Sequence, residues 1–152
     1  MIKYLLPLAL LASTGKPVFA QSADQDPPCD ARTRFAIIVH GGTSSGKAYP
    51  ERLAFIETML TERRAELDSG ARAVDIVETA LVAMEDSGLF NAGKAAITNS
   101  AAYVETDASI MDGRTLDAGA VASQRAIKNP IRAARLVMDK TRHVMMVGDR
   151  GE

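Results

Sequence analysis

A change of hydrophobic period restricts the possible folds more than any other feature of this sequence. From Pro50 onward Leu53, Ile56, Leu60 and Leu67 recur at three- and four-residue steps or their sums until Gly70; Val74, Val77, Leu81 and Met84 form a second stripe that stops at Gly88. Such spacing lays apolar side chains along one face of a helix. Pro50 suits a first turn and the two glycines suit helix ends, while Glu62-Arg63-Arg64 and Glu66 fall on the wet side of the first helix. Beyond LFNAGK the pattern becomes short β-rich runs, AAIT (95–98), YVETDASIM (103–111) and AGAVASQ (118–124). Asn99-Ser100 and Asp112-Gly113 separate them, the latter a dipeptide favoured in tight hairpins, so antiparallel pairing is expected. Asn129 then stands where a helix cap is needed, Pro130 where the helix begins, and Ile131, Ala134, Val137 and Met138 supply its apolar face. HVMMVG (143–148) reads as a last strand. Upstream, FAIIV (35–39) is apolar without alternation, as in a strand buried on both faces, and ends at Gly41 and Gly42. The order strand, two helices, antiparallel strands, helix, strand points to a layered α+β fold and away from a doubly wound parallel sheet.

Composition narrows the partners. The chain has 152 residues, 24% of them charged, and a net charge of −1, which gives no basic excess for nucleic acid and leaves a small molecule or peptide as the expected ligand. Residues 1–20 carry Lys3, an apolar run LLPLALLA and then Val18-Phe19-Ala20, whose small residues fit a signal-peptidase site. The run is too short for a membrane-spanning helix of about 20 apolar residues. A cleaved secretory signal is expected, hence a periplasmic or secreted protein with no membrane association after cleavage. Residues 21–34 form a polar leader. Its Cys29 is the single cysteine of the chain, so no internal disulfide is possible.

Several residues invite a chemical reading. Gly41-Gly42-Thr43-Ser44-Ser45-Gly46-Lys47 has the spacing of a phosphate loop after a strand, but Ala48 lacks the hydroxyl that would ligate magnesium, and Pro50 opposes a helix starting at Lys47. Nucleotide binding is therefore disfavoured, and Lys47 reads as a solvated loop charge. His40 and His143 are the only histidines, too few for a metal cluster, and both read as structural. Glu105 and Asp107 share a strand face and Asp112 opens a turn; they read as strand and turn positions, not as paired acids. Met111, Met138, Met145 and Met146 read as core filler.

Four blocks occur in one order: IIVHGG (37–42), LFNAGK (89–94), ETDASIMDG (105–113) with AGAVA (118–122), and KNPIRAARLVMDKTRHVMMVG (128–148). Together they resemble the N-terminal half of the isoaspartyl peptidase and plant-type L-asparaginase family, within the N-terminal-nucleophile hydrolases. The resemblance runs from about residue 35 to 152. It implies an αββα sandwich, present here in part, made as a precursor that cuts itself at a Gly-Thr bond to expose a nucleophilic threonine. A threonine hydroxyl is a weak nucleophile until a base takes its proton, and its own freed amine can be that base; the oxyanion formed on the attacked amide then needs preset donors. Family members hydrolyse the side-chain amide of asparagine or the β-linkage of isoaspartyl dipeptides.

The resemblance also implies site residues. MEDSGLFNAGK matches a sodium-binding loop in which main-chain carbonyls, here those of Met84, Glu85, Ser87, Phe90, Ala92 and Lys94, enclose the ion; side-chain identity matters little to such ligation. Asn91 matches an asparagine that reaches the surroundings of the catalytic threonine. Gly41 and Gly42 match the glycine loop beside the cleavage site. Departures from the pattern cluster at Lys94-Ala95-Ala96 and in the NSAAY turn.

No Gly-Thr-Val-Gly string occurs, and the single Gly-Thr pair, Gly42-Thr43, lies in the first loop. No catalytic nucleophile is therefore expected in this chain, which reads as a truncated N-terminal part of an amidohydrolase, inactive by itself, with a C-terminal half as its partner. That half would bring the groups that bind a small amino-acid or dipeptide substrate, in an enzyme assembled from αβ heterodimers. No cofactor beyond a structural sodium ion is expected. The alternative reading is a binding or regulatory remnant that kept the scaffold without catalysis.

Overall fold

In the computed structural model residues 35–42 and 49–148 are described. The signal assigned to 1–20, the leader 21–34 with Cys29, the loop 43–48 with Lys47 and Ala48, and residues 149–152 lie outside the described residues. Among the described residues no helix is long and apolar enough to cross a membrane.

Helix α1 spans Pro50–Asp68, with its proline in the first turn. It closes in a Schellman motif: the Ala71 N–H bonds the Glu66 carbonyl, the Gly70 N–H bonds that of Leu67, and Gly70 adopts φ +95. Helix α2 spans Ala73–Ser87 and ends at Gly88 with φ +71. Both glycine stops thus fall where the sequence places them. The expected stripes are met in part: Val74 and Met84 are buried and Leu81 and Ile56 pack against the core. In α1 Met59 is buried beside Phe55 and Ile56, whereas Leu53 is 55% exposed; in α2 Ile76 and Ala80 turn inward and Val77 is 45% exposed. Helix α2 has α1 on one side and α3 and β1 on the other, so its inward face is set by where these meet, while α1 turns inward the residues that meet α2 and Phe90.

The sheet has the order β1-β2-β3, with β1 at Thr106–Met111, β2 at Ala118–Gln124 and β3 at Met145–Val147. β1 and β2 pair antiparallel, with a register shift between Thr106 and Ala108. Helix α3, Pro130–Lys140, crosses from β2 to β3, which pairs with β2 in parallel. The sheet is therefore mixed, because a helical connection returns the chain in the same direction. The first expected turn is present: Thr98 bridges Val104, and Asn99 Oδ1 accepts from the N–H groups of Ala101 and Tyr103. AAIT is otherwise not a strand: Ala95 ends a 3-10 turn, Gly93–Ala95, and Thr98 makes one isolated bridge. Asp112-Gly113 opens a wider loop than a two-residue hairpin. The Asp112 N–H bonds the Asp117 carbonyl, Asp112 Oδ1 accepts from the Arg114 N–H, and Leu116, not Gly113, takes positive φ.

The main core lies between the sheet and helices α2 and α3. It is built from Val74, Ile110, Val121, Ile131, Ala134 and Val137. Gly119 sets how closely α3 approaches, since a Cβ there would collide with the Ala134 carbonyl and the Met138 backbone nitrogen. A second cluster, Met59, Ala80, Met84 and Phe90, fills the space between α1 and α2. The register puts Met111, Ala118, Ala120, Ala122, Met145 and Val147 on the opposite face of the sheet. Of the four methionines read as core filler, Met138 and Met146 pack against the core while Met111 and Met145 are 56% and 53% exposed on that outer face.

Two further expectations fail. Phe35–Val39 is extended but pairs with no strand among the described residues, and it alternates in burial, with Ile38 93% exposed. Without hydrogen-bonded neighbours on its edges it has no second face to bury. Asn129 occupies the N-cap position of α3 but makes no side-chain cap. Its Nδ2 donates to Glu85 Oε2 and Asp86 Oδ1, both at 3.1 Å, and the capping oxygen comes instead from Glu85.

Candidate active site

The C-terminal turn of α2 and the loop after it form one wall of a cleft of ≈ 670 Å³; the glycine segment His40–Gly42 and residues Asp107–Ser109 of β1 complete it. Three consecutive strand residues can line one cavity only along a strand edge, because alternate side chains point to opposite faces. β1 is an outer strand of the sheet. The cleft is thus a gap between an open strand edge and the unpaired segment ending at Gly42.

Gly41, Gly42 and Asn91, separated by fifty residues in the sequence, all line this cleft. Phe90, buried between α1 and the loop, holds the two segments together: a Cβ on Gly41 would lie 3.4 Å from its ring, and the Phe55 ring packs against it at 5.8 Å. Gly42 takes φ +88 and directs its N–H to His40 Nδ1 at 3.3 Å. His40 therefore serves the local turn while lining the cleft. His143 lies elsewhere, on the turn before β3. Asn91 Oδ1 accepts from the Ile97 N–H at 2.8 Å, pinning the loop's return.

The carbonyl set expected to hold a cation belongs to this same turn. Met84 O accepts from Ser87 Oγ at 2.7 Å, Phe90 O from the Ala92 N–H at 2.8 Å, and Ala92 O from the Ala95 N–H at 3.2 Å. Each carbonyl keeps a second lone pair. Gly93, at φ +49, folds back onto Glu85 so closely that a Cβ would sit 2.6 Å from the Glu85 Cβ and 2.8 Å from its carbonyl oxygen. The turn closes at the negative end of α2, an environment that favours a cation. Lys94 is exposed, and its aliphatic stem runs past Gly88.

The side chain of Glu85 was not singled out from the sequence, although its spacing of four from Leu81 puts a carboxylate on the buried stripe of α2. It is buried, lines the cleft, accepts from the Ile131 N–H at 3.1 Å and from Asn129, and so caps α3 from a neighbouring helix. Burial pushes its carboxyl above the ordinary value of 4.5, against the hydrogen bonds from Asn129 and Ile131. Asp107 is the other acid on the cleft. Its Oδ1 accepts from the Ser123 N–H at 2.8 Å, across the register shift. Glu105 precedes β1 and belongs to a different group: Arg125 at 2.7 Å and Asn99 hold it below the ordinary carboxylate range. Asp112 is held low by the Arg114 N–H and by Arg72 at 2.7 Å, as a turn residue. The three carboxylates do not form an acid/base pair.

The asparaginase family model matches residues 33–152. The chain is 48% identical over 119 residues to a plant-type L-asparaginase of Pyrococcus furiosus, covering 75% of this chain and 38% of that protein. It is 46% identical over 118 residues to an isoaspartyl peptidase/L-asparaginase of Macaca fascicularis, covering 76% and 38%. To the Rattus norvegicus isoaspartyl peptidase/L-asparaginase it is 38% identical over 135 residues, covering 86% and 40%. The chain thus spans about two fifths of the length of the curated relatives it matches. A match running from the glycine segment through the last strand, over a mixed helix and sheet unit whose distant family blocks meet in one cleft, shows that this chain belongs to the asparaginase family.

Proposed function

We propose that this chain is the N-terminal part of an amidohydrolase that cleaves the side-chain amide of asparagine or the β-linkage of isoaspartyl dipeptides, with its threonine nucleophile on polypeptide outside these 152 residues. The observation that carries the reading is the cleft itself. Gly41, Gly42 and Asn91 converge opposite an open edge of β1, and a strand that starts with the nucleophile can enter there, bonding to β1 on one side and to residues 35–39 on the other. The relatives' extra length, beyond the two fifths that this chain spans, has room for that strand.

Within such a site the residues of this chain position and exclude. Asn91, fixed through its Oδ1 to Ile97, keeps its amide NH₂ available to an oxygen of the nucleophile's surroundings. The glycine segment lets backbone approach the cleavage bond without a Cβ, and Phe90 shuts water out behind it. The carbonyls of Met84, Glu85, Ser87, Phe90, Ala92 and Lys94 are hard donors at a helix C-terminus and suit a sodium ion, whose part would be to fix the shape of the loop that carries Asn91. Substrate binding, the αββα sandwich, assembly from αβ heterodimers, and export to the periplasm or medium belong to the same proposal. The alternative of a non-catalytic remnant draws no support from relatives named for asparaginase and isoaspartyl peptidase activity.

Ammonia release from asparagine and aspartate release from a β-aspartyl dipeptide test the reading. The chain alone is expected to release neither, and the chain co-expressed with the remaining C-terminal part of a plant-type relative is expected to release one or both. Turnover by the 152-residue chain alone, or silence from a folded, co-purified complex, would overturn it.

A further inference from the structure

One wall of the cleft has no part in the catalytic proposal: the first turn of α1. Arg52 stands there, half-buried, and is the only lysine or arginine among the described residues that line the cleft. Its guanidinium carbon lies 4.2 Å from the centre of the Tyr49 ring and 6.0 Å from that of Phe90. Both rings also line the cleft. Tyr49 immediately precedes α1 and accepts the Arg52 N–H on its carbonyl at 3.0 Å, which keeps ring and guanidinium in one turn. Phe90 is buried against Gly41, where a Cβ would meet its ring at 3.4 Å. The guanidinium is thereby held beside the glycine segment, where the catalytic proposal brings in the nucleophile.

Stacking uses the face of a guanidinium and leaves its N–H edge to other partners. Among the described residues no carboxylate pairs with that edge. The two acids of the cleft are engaged elsewhere: Glu85 accepts from the Ile131 N–H and Asn129, and Asp107 Oδ1 accepts from the Ser123 N–H. A cation in the first turn also opposes the helix dipole, so helix stability does not account for Arg52. A planar fork held by two rings at the positive end of a helix suits an incoming carboxylate. The two substrate types of the catalytic proposal differ on this point. Both carry the α-carboxylate of the aspartyl part, but asparagine loses only ammonia, whereas a β-aspartyl dipeptide releases a second amino acid whose own carboxylate is one carbon away from the scissile nitrogen. We propose that Arg52 is a specificity-determining residue that binds the carboxylate of the leaving amino acid and so favours β-aspartyl dipeptides over asparagine. This rests on the catalytic reading above and adds which of its two substrates the cleft selects.

The test compares kcat/KM for β-aspartyl-glycine, β-aspartyl-glycinamide and asparagine in the chain co-purified with the C-terminal part of a plant-type relative. The free carboxylate is expected to be preferred over the glycinamide by about tenfold, as for one charge-assisted pair. Arg52→Met is expected to erase that preference chiefly through KM, since a contact made equally before and during reaction leaves kcat alone. Arg52→Lys is expected to keep part of it, because an ammonium pairs without the fork. Equal loss on all three substrates would assign Arg52 to the shared α-carboxylate or to the fold, and would overturn the inference while sparing the catalytic reading. A preference that survives Arg52→Met would do the same. A folded complex that turns over none of the three would overturn both.

Discussion

The Glu85 side chain ties together three parts of the fold. It sits in the last turn of α2, presses on Gly93 in the loop, and accepts from the Ile131 N–H and Asn129 at the start of α3. Removing it orphans buried donors, so Glu85→Ala is expected to lower unfolding stability by about 1–3 kcal/mol in urea titrations. Its titration has a definite sign. Burial raises the folded pKa above 4.5, so the folded chain holds this proton to higher pH than the unfolded chain does. Stability is then greatest below the ordinary value, falls as pH rises from 4.5 through the raised value, and is level above it. Glu85→Gln is expected to flatten that segment of the stability profile. A mutant profile parallel to the wild type across that window would show that another group titrates there.

At the scale of elements, the turn after α2 lines the cleft, and its carbonyls invite a direct test. Thermal unfolding in sodium chloride and in choline chloride at equal ionic strength is expected to differ, with the higher midpoint in sodium, because binding only to the folded turn stabilises it by mass action. Equal midpoints would remove the cation from the proposal while leaving the cleft intact. The existence of these elements was legible in sequence wherever one strong local signal fixed it: Pro50 and Pro130 open their helices, and Gly70 and Gly88 close theirs. The failures are tertiary. Val77 and Leu53 have helical spacing but face out, since spacing gives a stripe without saying which neighbour covers it. Asn129 has the right type and place for a cap, yet a carboxylate forty-four residues away takes that role. Asp112-Gly113 suggests a tight hairpin, and the Asp112 carboxylate instead organises a wider loop through Arg72 and Arg114. In the candidate site, Gly41, Gly42 and Asn91 were found by block resemblance and do converge; Asp107, Ser109 and the Glu85 side chain were missed, because only the paired sheet shows which strand edge faces the cleft.

For the molecule as a whole, the sheet has helices on one face and Met111, Met145 and Val147 exposed on the other. Apolar surface of that kind, with unpaired strand edges beside it, drives association. Sedimentation velocity of the isolated chain is expected to show concentration-dependent self-association that Met111→Lys with Met145→Glu suppresses. A monodisperse monomer before substitution would refute the expectation and argue that the face tolerates water.

Between those larger side chains β2 shows only the methyl groups of Ala118, Ala120 and Ala122. A furrow so shallow contributes almost no bulk, while interiors fill about three quarters of their space with atoms. Whatever layer is seated there has to bring long or aromatic side chains down the middle and small ones over the two methionines, so the alanine row acts as a mould for its counterpart's relief.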